Sequence, residues 1–269
     1  MNNIFIYKKQ EEHKLFRKAA RMSATILQEV CDRAEPGMST WDLDIFAEEW
    51  IRDNGAVPTF KGYMGFPCTL CTSINQEIVH GIPSEKRVLK EGDILSVDVG
   101  VTLKSEIEGK ETNFVGDNAK TIPIGKVPDK TIKLIADTKH GLEEGVKKCI
   151  PGNKISDIAA AVEKVAISEG YGLVKEFGGH GIGPNYHCAP FIPNFSSYFK
   201  AFDDCVIEEG MILAIEPMFN LGLGDIRKMK DGWTIVTKDN KLSAHYEYSV
   251  LVTDSGPEII TIPEDWSKL

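Results

Sequence analysis

In two segments of the chain, an apolar sequence typical of a β-strand is followed by a carboxylate. They read EGDILSVDV, at residues 91–99, and EGMILAIEP, at residues 209–217. Each has Glu-Gly, one variable position, Ile-Leu, a small residue, an aliphatic residue and then an acid, which is Asp98 or Glu216. Acids are depleted in strands, and a buried carboxylate without a partner is unfavourable. Two solvent-exposed acids would seldom repeat in register, so the repeat favours a shared chemical role.

A third acid, Glu247, lies in the segment SAHYEYSVLVT. Aromatic and aliphatic residues alternate there with His245, Glu247 and Ser249, which predicts a carboxylate in the middle of a strand. No lysine or arginine stands near these three acids in the sequence to neutralise them. Three such carboxylates therefore suggest bound cations.

Histidines accompany the acids. The segments VHGIP and GHGIG place His80 and His180 before Gly-Ile in polar, turn-like surroundings, and His187 follows seven residues after His180. A single histidine is more often a packed or surface residue than a ligand. Two His-Gly-Ile segments, each preceding an acidic strand, are better explained by a metal site. Carboxylates mixed with one or two imidazoles suit Mn, Fe, Co or Zn better than Ca or Mg.

The elements that must position these residues are also duplicated. PGMSTWDLDIFAEEWIRDNG, at 36–55, and PGNKISDIAAAVEKVAISEG, at 151–170, share helical spacing of their apolar positions and begin with Pro-Gly. A further amphipathic helix precedes each, near 14–31 and 132–148. Two copies are too few for a solenoid. We expect one domain, residues 1–269, with pseudo-symmetric halves at about 12–125 and 130–261, and Asp98 and Glu216 close to the axis between them.

Composition limits the function classes. The net charge of −9 argues against a general nucleic-acid or anionic-membrane surface. No apolar run approaches the length of a membrane span, and the start of the chain is unlike a secretory signal, so a cytoplasmic location is expected. The six cysteines show no disulfide framework. Cys68 and Cys71 form a CxxC in a strand-like setting, which favours free thiols over a redox pair.

The chain resembles the methionine aminopeptidases in five segments that occur in the order of that family. They are GYMGFPCTLCTSINQEIVHGIP, GDILSVDVG, GGHGIG, ILAIEPMFN and DGWTIVTKDNKLSAHYEYSVLVTDSG. The resemblance implies an α+β pita-bread fold, in which two pseudo-symmetric halves form a central antiparallel β-sheet covered by two helix pairs. It also implies a type I enzyme, because only 31 residues separate Glu216 from Glu247 and leave no room for the helical insertion of type II.

The resemblance assigns roles to individual residues. Two divalent metal ions (Mn, Fe, Co or Zn) would be bound by Asp98, Asp117, His180, Glu216 and Glu247. Asp117 comes from the resemblance alone, since VGDNAK by itself is typical of a turn. His80 and His187 would contact the substrate. The pocket for the first side chain would consist of Tyr63, Phe66, Cys71, Phe177 and Trp233, whose aromatic and thiol surfaces suit a thioether.

The chemistry implied is hydrolysis of the first peptide bond. Two metals activate a water and polarise the scissile carbonyl. Glu216 would transfer the proton to the leaving amine, while His80 and His187 donate hydrogen bonds. The substrate would be the N-terminal methionine of nascent polypeptides with a small second residue. Transient ribosome association is a further expectation, as is a monomeric state without nucleic-acid or membrane partners.

The chain departs from the family pattern at several positions. The segment between Asp98 and Asp117 is longer and predicts an extended hairpin with EGKET at its tip. Cys188 and Ala189 follow His187 where Glu is favoured, Phe114 and Val115 replace a His or Trp-His, and His245 and Tyr248 stand where Gln and His are common. None of these changes removes a proposed ligand.

Two other functions stay open at this point. A prolidase or aminopeptidase P would use the same five ligands, but such enzymes carry an additional N-terminal domain and only 79 residues precede His80. A pita-bread protein without catalysis would act as a binding partner. Such relatives usually lose ligands, whereas all five positions are filled here.

Overall fold

The computed structural model describes residues 3–262 and has the predicted α+β architecture. No helix within this range is long and apolar enough to cross a membrane. Two pairs of helices pack on antiparallel sheets, and the described residues form four of these: one of four strands, one of five, and two of three. The helices are α1 (Gln10–Arg33), α2 (Thr40–Asp53), α3 (Asp129–Val146) and α4 (Ile155–Glu169).

Each helix pair turns at a Pro-Gly sequence, as the repeat predicts. Gly37 and Gly152 have φ of 98° and 92°, a conformation that glycine adopts without steric cost. In the first half, Ser39 and Asp42 form a reciprocal capping box at the start of α2. Helix α4 ends at Gly170, which has φ 75° and lies in the left-handed region.

The remaining elements are mostly short strands. Two 3-10 helices lie at Tyr63–Gly65 and Ser196–Lys200. The strands are β1 (Val57–Pro58), β2 (Leu70–Ile74), β3 (Glu77–Val79), β4 (Ile94–Ile107), β5 (Lys110–Pro123), β6 (Gly172–Leu173), β7 (Gly178–Gly181), β8 (Cys188–Pro193), β9 (Ile212–Ile215), β10 (Met218–Asn220), β11 (Ile226–Lys228), β12 (Ile235–Thr237), β13 (Ser243–His245), β14 (Tyr248–Thr253) and β15 (Gly256–Ile259). The two three-stranded sheets have the strand orders β13-β10-β6 and β11-β12-β3.

The sheet of the first half is built on a long hairpin. Strands β4 and β5 pair along their whole length, while β1 and β2 pair in succession with the other edge of β4. The hairpin turns at Glu108-Gly109, with φ of 51° and 78°. Positive φ at both central residues of a two-residue turn matches the right-handed twist of the strands. The predicted hairpin, with its tip within EGKET, is confirmed.

The sheet of the second half has five strands in the order β15-β14-β9-β7-β8. Strand β8 is therefore at its edge. Helices α3 and α4 cover this sheet with a core that includes Leu134, Ile158 and Leu213. The corresponding core under α1 includes Phe16, Leu95 and Val97.

The four-stranded and five-stranded sheets meet beside the predicted ligands. Glu247 donates its backbone N–H to the carbonyl of Ala119 on β5 at 2.9 Å. On β14, the hydroxyl of Ser249 donates to the carbonyl of Asp117 at 2.7 Å. These bonds fix β5 of the first half against the segment that carries Glu247.

Three local predictions differ from the structure. Glu247 lies between β13 and β14 rather than in the middle of one strand, because the chain leaves one sheet there and joins another. His180 lies within β7 rather than in a turn. Asp117, whose surroundings are typical of a turn, lies within β5, because pairing with β4 overrides the local preference of Gly and Asn.

Candidate metal centre

Three of the predicted ligands form a compact buried group. One donor atom from each of Asp117, His180 and Glu247 lies within 4.8 Å of the other two. The Nε2 atom of His180 is 3.7 Å from Oδ2 of Asp117, which is beyond hydrogen-bond distance. All three side chains are buried. Donor atoms that converge without bonding to each other leave room for a cation between them.

Asp98 and Glu216 complete the group from the two repeated strands. Glu216 follows β9 directly, and its Oε1 is 3.9 Å from Nε2 of His180. Asp98 lies within β4, opposite Ala119 on β5 and Cys71 on β2. Both carboxylates are close enough to interact electrostatically with Asp117. The structure thus brings the five predicted residues together, and these residues come from both halves of the chain.

The close approach of α1 to β5 supports the position of Asp117. A Cβ atom on Gly116 would lie 2.3 Å from Cα of Ala20 in α1. Only glycine therefore fits beside the helix at this point. Phe114, two residues earlier, faces the same core and its ring lies 5.0 Å from that of Phe16. This packing accounts for the departure from the family pattern at Phe114.

The polar atoms of the group fit a metal site. Oδ1 of Asp98, both carboxylate oxygens of Asp117, Nε2 of His180 and Oε1 of Glu247 are buried without a hydrogen-bond partner. Buried polar atoms normally have partners, since an orphaned one costs free energy. Within residues 3–262, the basic side chains recorded within 4 Å of these carboxylates are those of His180 and His245, not lysines or arginines. Bound cations would satisfy these atoms and offset their charge.

The pKa values of Asp98, Glu216 and Glu247 are raised mainly by burial and then by the neighbouring carboxylates. Burial, and then the charges of Asp117 and Glu216, raise the pKa of Asp98 well above its usual range. Burial raises the pKa of Glu216 to about 8, with His180 lowering it and Asp117 raising it. Burial and the neighbouring carboxylates also raise the pKa of Glu247. Without a cation the group holds protons that a metal would displace.

His80 and His187 stand beside this group. Burial lowers the pKa of His80 to about 4 and that of His187 to about 2, so both rings are neutral at physiological pH. The hydroxyl of Tyr63 lies 3.2 Å from Nδ1 of His187. When Tyr63 donates this bond, Nε2 of His187 carries the proton and can donate to a substrate. His80 has φ 60°, a strained conformation of the kind found at functional sites.

Two cavities adjoin the centre and share four lining residues: His80, Asp98, Tyr186 and His187. The smaller cavity, about 160 Å³, is mostly apolar and contains Tyr63, Phe66, Cys71 and Trp233 from the predicted side-chain pocket. We call it the thioether cavity. The larger cavity, about 400 Å³, contains His180, Glu216 and Glu247. We call it the main cavity.

One predicted pocket residue lies elsewhere, and three lining residues were missed. Phe177 lines the main cavity, where its ring is 5.5 Å from that of His80. Phe60, Met64 and Tyr186 line the thioether cavity but were not among the predicted residues. Tyr186 directly precedes His187 in the sequence, and that adjacency was the available signal.

The fold and this set of donors place the chain in the class of metallopeptidases. The sequence model of metallopeptidase family M24 matches residues 14–254, and the chain belongs to that family. Among curated relatives, the methionine aminopeptidase of Clostridium acetobutylicum is 41% identical, over 97% of this chain and 100% of its own length. Methionine aminopeptidase 1 of Bacillus subtilis is 38% identical over 96% of this chain and 99% of its own.

Solved structures agree with this assignment. The crystal structure of methionine aminopeptidase from Rickettsia prowazekii matches with a TM-score of 0.88 and 33% identity, over 97% of this chain and 100% of that one. The prolidase from Pyrococcus horikoshii matches with a TM-score of 0.72 and 20% identity, over 97% of this chain and 65% of that one. The latter likeness reflects the fold alone. The predicted pita-bread fold is confirmed.

Proposed function

We propose that the chain is a methionine aminopeptidase that uses two divalent metal ions to remove the N-terminal methionine from peptides and nascent proteins with a small second residue. The observation that carries the proposal is the convergence of buried, unpartnered carboxylate and imidazole atoms beside an apolar cavity. That cavity is lined by aromatic rings and a thiol, which suit a thioether. The two sites adjoin, so a methionine side chain and its peptide bond fit together.

Each residue of the site would have its own role in the hydrolysis. Asp98, Asp117, His180, Glu216 and Glu247 bind the metals, with ions of Mn, Fe, Co or Zn as candidates. Bound ions supply a water of lowered pKa and a Lewis acid for the scissile carbonyl. Glu216 is placed to accept a proton and pass it to the leaving amine. His187 and His80 are neutral N–H donors for the developing oxyanion and the scissile amide.

The setting of the enzyme is also a proposal. Residues 1–269 would form a single catalytic domain of two halves, of which residues 1–2 and 263–269 lie outside the described part of the chain. The enzyme would act as a cytoplasmic monomer on nascent chains, with transient ribosome contact and without nucleic-acid or membrane partners. The net charge of −9 supports the last point.

A peptide assay with and without a chelator tests the function. Release of methionine from Met-Ala-Ser should be abolished by chelator and restored by Mn²⁺ or Co²⁺. An Ala-Pro peptide should be cleaved poorly. A preference for the Ala-Pro peptide would instead indicate a prolidase or aminopeptidase P, and metal binding without turnover of either would indicate a binding protein.

A further inference from the structure

Three aromatic rings form a continuous strip on the surface of the second half. They belong to Phe191 on β8, Tyr198 in the 3-10 helix Ser196–Lys200, and Phe202 just after it. The ring centroids of Phe191 and Tyr198 are 5.4 Å apart, and those of Tyr198 and Phe202 are 4.3 Å apart with the planes 17° from parallel. We call these three residues the aromatic strip.

The strip begins inside the main cavity. Phe191 is a lining residue of that cavity and is the cross-strand partner of His180, a proposed metal ligand. Residues directly opposite in paired strands project from the same face of a sheet, about 5 Å apart at Cβ. The ring of Phe191 is therefore on the side of the metal centre, and β8 is the last strand of the five-stranded sheet, where Ile4 forms a bridge to Ala189.

The strip is both exposed and supported from beneath. Phe191 is 37% exposed and Phe202 is 57% exposed. Tyr198 lies 5.3 Å from Phe199, and Phe199 packs against the core of the second half. The aromatic surface is thus held in place rather than folded inward. Exposed apolar surface of this kind commonly marks a binding site.

The arrangement of the two cavities gives the direction of a bound peptide. If the methionine side chain occupies the thioether cavity, the scissile bond lies at the shared residues His80, Asp98 and His187. The rest of the chain then leaves through the main cavity, whose lining includes the exposed residue Phe191. Each ring-to-ring step along the strip, 5.4 Å and 4.3 Å, is comparable to one or two extended residues at about 3.3 Å each.

We infer that the aromatic strip binds the peptide substrate downstream of its second residue and favours a large apolar or aromatic side chain among residues three to five. This inference rests on the proposed function. It adds a preference that the thioether cavity and the metal centre do not supply. The chemical basis is ring-on-ring and apolar contact at a solvent-exposed surface.

A peptide series tests the inference. The peptides are Met-Ala-Ser-Ser-Ser and its three variants with phenylalanine at position three, four or five, with the dipeptide Met-Ala as reference. At least one phenylalanine peptide should show kcat/KM about five-fold above the all-serine peptide, the size expected for one aromatic contact. In Phe202→Ser, and separately in Phe191→Ser, that ratio should fall toward one.

Ile167→Ser is the matched control, because Ile167 is 67% exposed on α4 and lies outside the strip and both cavities. This variant should keep the ratio. Equal cleavage of all four pentapeptides would overturn the inference and leave the proposed function intact. Absence of methionine release from every peptide would overturn both. If the protein is a dimer that Phe202→Ser dissociates, and all four pentapeptides are cleaved equally, the strip serves self-association instead.

Discussion

Nε2 of His245 lies 3.5 Å from Oε2 of Glu216, on the side of the carboxylate away from His180. His245 is buried at the end of β13. Its backbone N–H donates to Oγ1 of Thr121 at 2.8 Å, and the Thr121 hydroxyl donates back to its carbonyl at 2.8 Å. A residue of the first half thus positions a histidine that faces the proposed proton carrier of the second half.

This contact predicts a role for His245 in orienting Glu216. Replacement of His245 by alanine should weaken Mn²⁺ or Co²⁺ affinity about 10- to 100-fold, as loss of a group that orients a ligand commonly does. The conservative variant His245→Gln retains an N–H donor and should keep most of the affinity. Isothermal titration calorimetry measures both. Equal affinity in the wild type and His245→Ala would remove His245 from this role.

The raised carboxylate pKa values predict how the stability of the metal-free protein depends on pH. Between pH 7.5 and 8.5 an unfolded chain has ionised carboxylates, whereas Glu216 in the folded chain, with a pKa of about 8, still binds a proton for part of the time. The folded state therefore holds more protons, and its stability falls as pH rises through this window. The slope should be on the order of 1 kcal/mol per pH unit for each retained proton.

This window avoids the buried histidines. Burial lowers the pKa values of His80 and His245 to about 4, so both rings are neutral in the folded state. An unfolded histidine, with a pKa of about 6.5, is also largely neutral above pH 7.5. Urea unfolding of metal-free protein at pH 7.5, 8 and 8.5 measures the slope, which Glu216→Gln should reduce and bound metal should suppress. A metal-free protein that becomes more stable toward pH 8.5 would contradict the prediction.

A substitution in the thioether cavity should lower kcat/KM for a methionine peptide without changing metal binding. The ring of Trp233 packs edge-on against Phe66, 5.1 Å between centroids, and forms one wall. Trp233→Ala should lower kcat/KM for Met-Ala-Ser about 10- to 100-fold, the equivalent of one lost apolar contact of about 1.5–3 kcal/mol. Metal content should stay unchanged. A Trp233→Ala enzyme with wild-type kcat/KM would show that methionine binds elsewhere.

Replacement of His187 should lower the catalytic rate without lowering the metal content. Its ring lies against Tyr186 and His180, and burial lowers its pKa to about 2. As a neutral donor to the oxyanion it should contribute about 10²- to 10³-fold to kcat, which His187→Ala would remove. Tyr63→Phe, which loses only the bond to Nδ1, should cost much less. Steady-state kinetics together with metal analysis separate the two effects.

The sequence alone predicted the parts of the site that repeat. Asp98 and Glu216 were found because burial in a strand makes a carboxylate unusual, and because the strand occurs twice. Asp117 required the family resemblance, since its local sequence favours a turn and only pairing of β5 with β4 keeps it extended. Phe60 and Tyr186 were missed because aromatic residues are equally suited to a hydrophobic core. No sequence spacing distinguishes an aromatic residue that lines a cavity from one in the core.

Metal content measured alongside activity tests the central claim most directly. Protein purified without oxygen should contain about two divalent transition-metal ions per chain, lose both metal and methionine release on chelation, and regain both on titration with Mn²⁺ or Co²⁺. Asp117→Asn and His180→Ala should bind less metal and lose activity in proportion. A fully active preparation that contains no transition metal would contradict the account.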